Sequence, residues 1–252
     1  MTSFAVVAAC VRIEILRFWR EPIALFFTLI FPIVLIVIFG GSFGSHQDPS
    51  TGTSYYNSLV AIDAAFLIGN FTLMGVTNDL ANQKEAGITD ASSLFPLKAW
   101  QRFVIESSAY LLIVFAAVSL VTVYVFVTYR DVEFRGNIGH FALVLAVAYF
   151  AFVSIAKLIA SLAFSARTLQ LIGSTVFFVL LFTSGVVIPR ESLPDAVSWF
   201  TTISPMYLTY SSLEGIWNNT IDWGVHLLQM AELVAIVVVF TLLARLRSRV
   251  RG

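Results

Sequence analysis

Gly40-Gly41-Ser42-Phe43-Gly44 matches G-x-S-x-G, the pattern that presents a nucleophilic serine in hydrolases. That motif works because the serine stands on a sharp turn between a strand and a helix. Here it closes an uncharged apolar run from Pro22 to Ser45, where small residues let helices approach and Gly40 and Gly44 support close packing. An intramembrane serine hydrolase using Ser42 with His140 or His226 is the enzymatic alternative. The sequence contains no H-E-x-x-H, which removes a zinc peptidase of that type, and no G-x-x-x-x-G-K-[ST], so it has no P-loop of its own for ATP. Cys10 is the only cysteine, excluding an intramolecular disulfide and a cysteine cluster, and His46, His140 and His226 are too scattered to read as a metal site.

The acids and bases inside apolar runs are the remaining candidates. Glu232 falls near mid-depth of the last apolar run, where an acid costs roughly 2.5 to 3.5 kcal/mol, so it faces protein or water rather than lipid. It lines a path or pairs inside a bundle, and both readings stay open. Asp63 and Glu106 fall near the ends of their runs and Lys157 can snorkel, so these three read as structural.

The elements that must position such groups are membrane helices. Of 252 residues 58% are hydrophobic and only 12% charged, with a mean hydropathy of +0.88, far from the roughly 25% charge of a soluble domain. Lys and Arg balance Asp and Glu at 15 each, so no bulk charge suggests nucleic acid. Six spans are expected: 22–45, 56–78 with Asp63, 103–129, 138–164 with Lys157, 169–188 and 223–243, each near the 20 residues a bilayer requires. Ahead of them, residues 4–21 read as an amphipathic interfacial helix, with Phe4, Val7, Ala8, Val11, Ile15 and Phe18 on one face and Glu14, Arg17, Arg20 and Glu21 opposite. A signal peptide is the rival reading, but no positive charge precedes its apolar part and no small-residue cleavage site follows. The fold class is all-α and polytopic, one membrane domain over 1–252.

Glu191 to Ala244 holds 54 residues without Lys or Arg and five acids, which keeps it outside or within the membrane. Its first part, to about Asp222, is rich in aromatics and proline and suits short extracellular helices at the outer interface, or a re-entrant hairpin. With both termini cytoplasmic, eleven basic residues lie inside and only Arg130, Arg135 and Arg190 outside, which sets the orientation. Much of the Phe, 23 residues, is lipid-facing filler; a minority lining a cavity would suit flat, greasy ligands.

Between spans two and three lies the polar stretch Asp79–Arg102, placed in the cytoplasm by Lys84, Lys98 and Arg102. Its Glu85-Ala86-Gly87, with Pro96 nine residues after the glycine, resembles the loop after the second span in ABC-2 type transporter permeases. The carboxyl-terminal third is similar to the same family in Ser184-Gly185, Pro189, Leu193-Pro194 and Ser204-Pro205 followed by Tyr207. It departs in carrying Thr89 and Ser92 where leucines are usual, and Ser204 where an asparagine is usual.

The resemblance implies an export permease of a bacterial cell membrane, most like actinobacterial drug exporters. It implies ATP-binding cassette ATPase subunits that hold ATP and magnesium, a second permease chain, identical or different, and no cofactor on this chain. The cargo would be a small lipophilic compound, with lipid or glycan as the alternative; the short loops favour the former. Glu85, Gly87 and Pro96 would couple to the ATPase: a helix turn begins near Lys84, Pro96 ends it, and Glu85 offers a charge-assisted contact to a basic group or helix amino terminus of the partner. Glu232 is the candidate for the translocation path.

Overall fold

The structure, a computed structural model, describes residues 4–43, 54–86, 99–129, 132–187 and 194–249. The described residues form helices and no β-strand. Among the described residues five helices are long and apolar enough to cross a membrane, and a shorter one, Phe26–Ser42, joins them.

Span two is the axis of the bundle. It runs as one helical rod from Tyr55 to Glu85, made of α4 (Tyr55–Gly69), a π-helical segment Asn70–Val76, and α5 (Thr77–Glu85). Ser54 starts it by accepting from the backbone N–H of Tyr56. Every residue from Asn57 to Leu73 is buried, so the rod is enclosed on all faces. Small residues explain how: Ala61, Ala64, Ala65 and Gly69 leave room for neighbours to close in. The rod's 31 residues rise about 46 Å, well beyond the roughly 30 Å of hydrocarbon, so its polar end stands clear of lipid.

The other elements wrap this axis. An amino-terminal helix α1 (Phe4–Trp19) is followed by α2 (Pro22–Leu25), a π-helical segment Phe26–Ile30 and α3 (Phe31–Phe43), which together make span one. Pro22 opens α2 as the sequence predicts, where its missing N–H costs nothing. Span three is α6 (Ala99–Thr128), span four α7 (Ile138–Ala160), span five α8 (Ala166–Thr183) and span six α11 (Trp223–Arg249). Asn137 and Ser165 cap α7 and α8 by accepting from the N–H groups of His140 and Thr168. In span two 89% of the most apolar stretch is buried, against 11% in α11, so α11 leaves most of its surface to lipid or another chain.

Between spans five and six lie α9 (Asp195–Ile203) and α10 (Pro205–Asn218). They form a helical hairpin whose second arm packs into the bundle against α4 and α7. Met206, at the start of α10, is fully buried and its methyl group lies where a side chain on Gly69 would stand. The hydroxyl of Thr201 in α9 donates to the carbonyl of Thr183, 2.5 Å away, at the end of α8. From that level α10 runs about 21 Å along span two toward its Tyr55 end. There Ser58 donates to Glu214, and the Arg135 N–H donates to the Trp217 carbonyl at 3.0 Å.

Two expectations are corrected at the polar end. The helix of span two does not break near Asn78 but continues to Glu85, and no helix begins at Lys84: Lys84 and Glu85 close one, with Ala86 in a turn. The π-helical segment shifts the register so that the rod can continue past the bulge. Arg17, assigned to a solvated arc of α1, instead crosses to Asp79 at the end of span two. On the other face of α1, Val11 and Ile15 are half-buried and Phe18 is buried, edge-on to Phe71 of span two.

Gly173 is where α8 meets the axis most closely: a Cβ there would collide with the backbone carbonyl of Leu73 in the π-helical segment. Backbone cannot swing aside as a flexible side chain can. Gly173→Val should therefore lower stability in detergent by about 1–3 kcal/mol. Gly41→Ala, where nothing lies within 4 Å, should leave it unchanged or slightly improved. Thermal unfolding of the two variants beside the parent checks the contrast; equal melting temperatures would show that this approach does not hold the helices together.

Candidate translocation and coupling site

Helix ends leave unpaired carbonyls at one terminus and unpaired N–H groups at the other, with partial charges to match. Spans four and five meet in the short turn 161–165, presenting both kinds side by side. Two consecutive residues of span two serve them. The Lys84 ammonium donates to the carbonyls of Leu162 at 2.7 Å and Ala160 at 3.3 Å, at the carboxyl end of α7. The Glu85 carboxylate accepts from the N–H of Ala166, the first residue of α8, at 2.5 Å. Each charge sits on the helix pole of opposite sign. The helix-terminus contact expected of Glu85 toward a partner is thus made within this chain. Gly87 and Pro96 lie outside the described residues.

One and a half turns earlier, Asp79 gathers three donors. The Arg17 guanidinium reaches Oδ1 at 2.6 Å; the Tyr110 hydroxyl and the Gln83 amide reach Oδ2 at 2.5 and 3.1 Å. These come from α1, α6 and span two itself. Partial burial would lower the Arg17 pKa, but Asp79, with Tyr110, Glu14 and Glu21, outweighs it and raises the pKa above the ordinary value, so Arg17 stays charged. The amino-terminal helix is therefore tied to span two by a charge-assisted contact.

Two cavities lie along spans one and two. The larger, about 590 Å³, opens beside this network and is lined by Glu14, Arg17, Arg20, Asp79, Asn82 and Gln170 among others. The second, about 330 Å³, is almost wholly apolar, walled by Phe residues from spans one, two and five together with Asp63. Phe27, Asn70 and Met74 line both. Phe27 belongs to the π-helical segment of span one, and Asn70 and Met74 to that of span two. Such segments often mark functional sites, because the wider turn re-aims side chains and can migrate. The polar and apolar chambers thus share walls at the bulged part of both helices.

Glu232 is half-exposed on the flank of α11, beside buried Leu233, and lines neither cavity. Ser42 is exposed at the end of α3, and no hydrogen bond joins it to either imidazole among the described residues. His140 and His226 instead face each other, Nε2 to Nε2 at 3.3 Å, with Trp223 stacked on His140. Gly40 serves packing, since a side chain there would strike the Tyr129 ring; Gly44 lies outside the described residues. Lys157 lies within electrostatic reach of Glu106 and Arg245.

Sequence reasoning missed Asp79, Tyr110 and Asn70, and it placed Asp63 near a span end. A signal for Asp63 was present: Leu59, Ile62, Asp63, Phe66, Asn70 and Met74 recur at helical spacing and set the acid on an aromatic and amide-bearing face.

An all-helical bundle with several apolar spans, a helical hairpin before the last one and a polar extension of span two defines a multi-pass membrane protein. The chain belongs to the ABC-2 type transporter family, whose profile matches residues 5–217. It is similar to "Probable multidrug ABC transporter permease YbhR" of Escherichia coli K12, 27% identical over 168 residues, covering 61% of this chain and 45% of the relative. The protein of the same name from Escherichia coli O157:H7 matches to the same extent. The chain thus spans less than half the length of these curated relatives.

Asp79→Asn removes the charge while keeping the size, and should cost about 1–3 kcal/mol through loss of the Arg17 and Tyr110 contacts. Limited proteolysis in detergent reads the consequence directly: cleavage after Arg17 or Arg20 should accelerate in the variant, and an unchanged digestion pattern would show that α1 is held by packing alone.

Proposed function

We propose that this chain is the membrane subunit of an ATP-binding cassette exporter that moves a small lipophilic compound outward across a bacterial cell membrane. ATP and magnesium are held and consumed by separate ATPase subunits, and a second permease chain, identical or different, completes the path. The Lys84 end of the bundle faces the cytoplasm with both termini, in keeping with eleven basic residues on that side against three on the other.

The observation that carries this reading is the pair of neighbouring chambers along spans one and two, which share Phe27, Asn70 and Met74 as lining. A polar vestibule beside Asp79 and Asn82 adjoins an aromatic chamber that Asp63 lines. A lipophilic solute with a polar handle finds a suitable environment in each. Family membership supports the division of labour with an ATPase.

Coupling follows from what is attached to the stretch 79–102. Force applied there acts on Glu85 and Lys84, and through them on the adjoining ends of α7 and α8. It also acts through Asp79 on α1. Gly87 would allow close approach of an ATPase surface, and Pro96 would redirect the chain toward span three. ATPase closure then moves α1 and spans two, four and five together.

Glu85→Ala and Gly87→Val should each leave the permease inserted and assembled while separating ATP hydrolysis from export. Substrate-stimulated ATPase activity of the reconstituted complex and export by cells are the two readings; parental values of both in both variants would remove coupling from this stretch. Glu232, on a flank that a second permease chain can cover, is assigned to the path completed by dimerisation. Glu232→Gln should change export at unchanged assembly, and equal losses of folded protein and transport would mark it as a structural residue.

A further inference from the structure

The aromatic chamber contains a group that its own walls do not satisfy. Asp63 is 2% exposed, and its Oδ2 meets no hydrogen-bond partner among the described residues. An acid removed from water without a partner is costly, and such groups persist in membrane segments where function uses them. The position is not peripheral: Asp63 stands one turn from Phe66 and two from Asn70, on the face of span two that lines the chamber.

The surrounding rings suit one kind of ligand. Phe31 and Phe66 lie 5.7 Å apart at a tilt, and Phe177 stands edge-on to Phe66 at 5.5 Å. Phe27, Phe178 and Phe182 extend the wall. A ring face carries partial negative charge and attracts cations within about 6 Å of its centroid, more strongly where water is excluded. The chamber therefore offers apolar contact, ring faces and a single carboxylate, and no described basic side chain lines it.

We infer that this chamber binds lipophilic organic cations, with Asp63 as their counter-ion and the Phe31, Phe66 and Phe177 rings as their apolar cradle. The inference rests on the export reading for its physiological meaning, since it names the substrate class; the binding itself does not require transport. A neutral lipophile gains only the ring and area terms, whereas a cation also compensates the buried carboxylate. Asn70, shared with the polar vestibule, presents an amide to the cation on its way in.

The test uses the purified full chain in mild detergent with two fluorescent probes, ethidium, a flat permanent cation, and N-phenyl-1-naphthylamine, a neutral lipophile. Asp63→Asn should weaken ethidium binding tenfold or more and leave the neutral probe within twofold of the parent. Equal ethidium affinity in parent and variant would overturn the inference, because Asp63 would then be a neutral structural acid; so would failure of the parent to bind ethidium. If Asp63→Asn loses both probes through misfolding, displacement from the parent decides. Tetraphenylphosphonium should displace ethidium while the neutral lipophile at equal concentration does not, and equal displacement by both overturns the assignment. Cation binding that survives while cells expressing the complex fail to export ethidium would overturn the transport reading and leave the site standing.

Discussion

Two adjacent side chains of opposite charge, Lys84 and Glu85, hold the polar end of the bundle together. Spans four and five converge on one short turn, where the carboxyl pole of one helix and the amino pole of the next would otherwise face each other with unpaired carbonyls and N–H groups. A single dipeptide on a third helix satisfies both, the cation on carbonyls and the carboxylate on an N–H. Each contact is worth about 0.3 to 1 kcal/mol where water has access. Their joint effect is geometric: the end of span two cannot shift without carrying the ends of two other spans.

This arrangement accounts for the length of span two. A rod of 31 residues would be needlessly long for crossing lipid, but its last turns are what reach the vestibule and the turn 161–165. Asp79 lies on the same extension and binds α1 through Arg17 and α6 through Tyr110. Mobility and rigidity are divided along one helix. The buried stretch Asn57–Leu73 is gripped on every side, the charged end is tied by hydrogen bonds, and the π-helical segment Asn70–Val76 lies at their junction with a wider turn. That is where a rod held at both ends can change pitch at least cost, and where the two chambers adjoin.

The opposite end is organised by packing and by a different set of polar contacts. α10 packs between α4 and α7, with Met206 against Gly69 and Glu214 bonded to Ser58, while α9 rests on the end of α8. Gln229 of α11 accepts from Ser212 and donates to Ser211, so the last span is joined to the hairpin rather than to the axis. It also packs along α7, and its outward face exposes Leu227, Leu228, Val238 and Leu242, as suits contact with lipid or another subunit.

What the sequence determined by itself follows from composition and local rules. Apolar runs of about 20 residues, proline and capping residues at helix starts, and the bias of arginine and lysine fix that this is a helical membrane protein and roughly where its spans lie. The likeness to ABC-2 permeases rested on Glu85-Ala86-Gly87 and the motifs from Ser184 to Tyr207, and the family match over 5–217 bears it out. These features act over one or two helical turns, or through the solvation of single residues, so they are legible without a partner. What only the tertiary structure decided depends on residues far apart in the chain. Whether Arg17 is solvated or paired depends on where Asp79, 62 residues away, comes to rest. Whether Asp63 is a span-end acid or a buried one depends on how four other elements enclose α4. Whether Glu85 meets its own chain depends on the spans four and five folding back beside it. Polarity is a property of a residue, but burial and pairing are properties of its neighbours, and in a bundle those neighbours arrive from other spans.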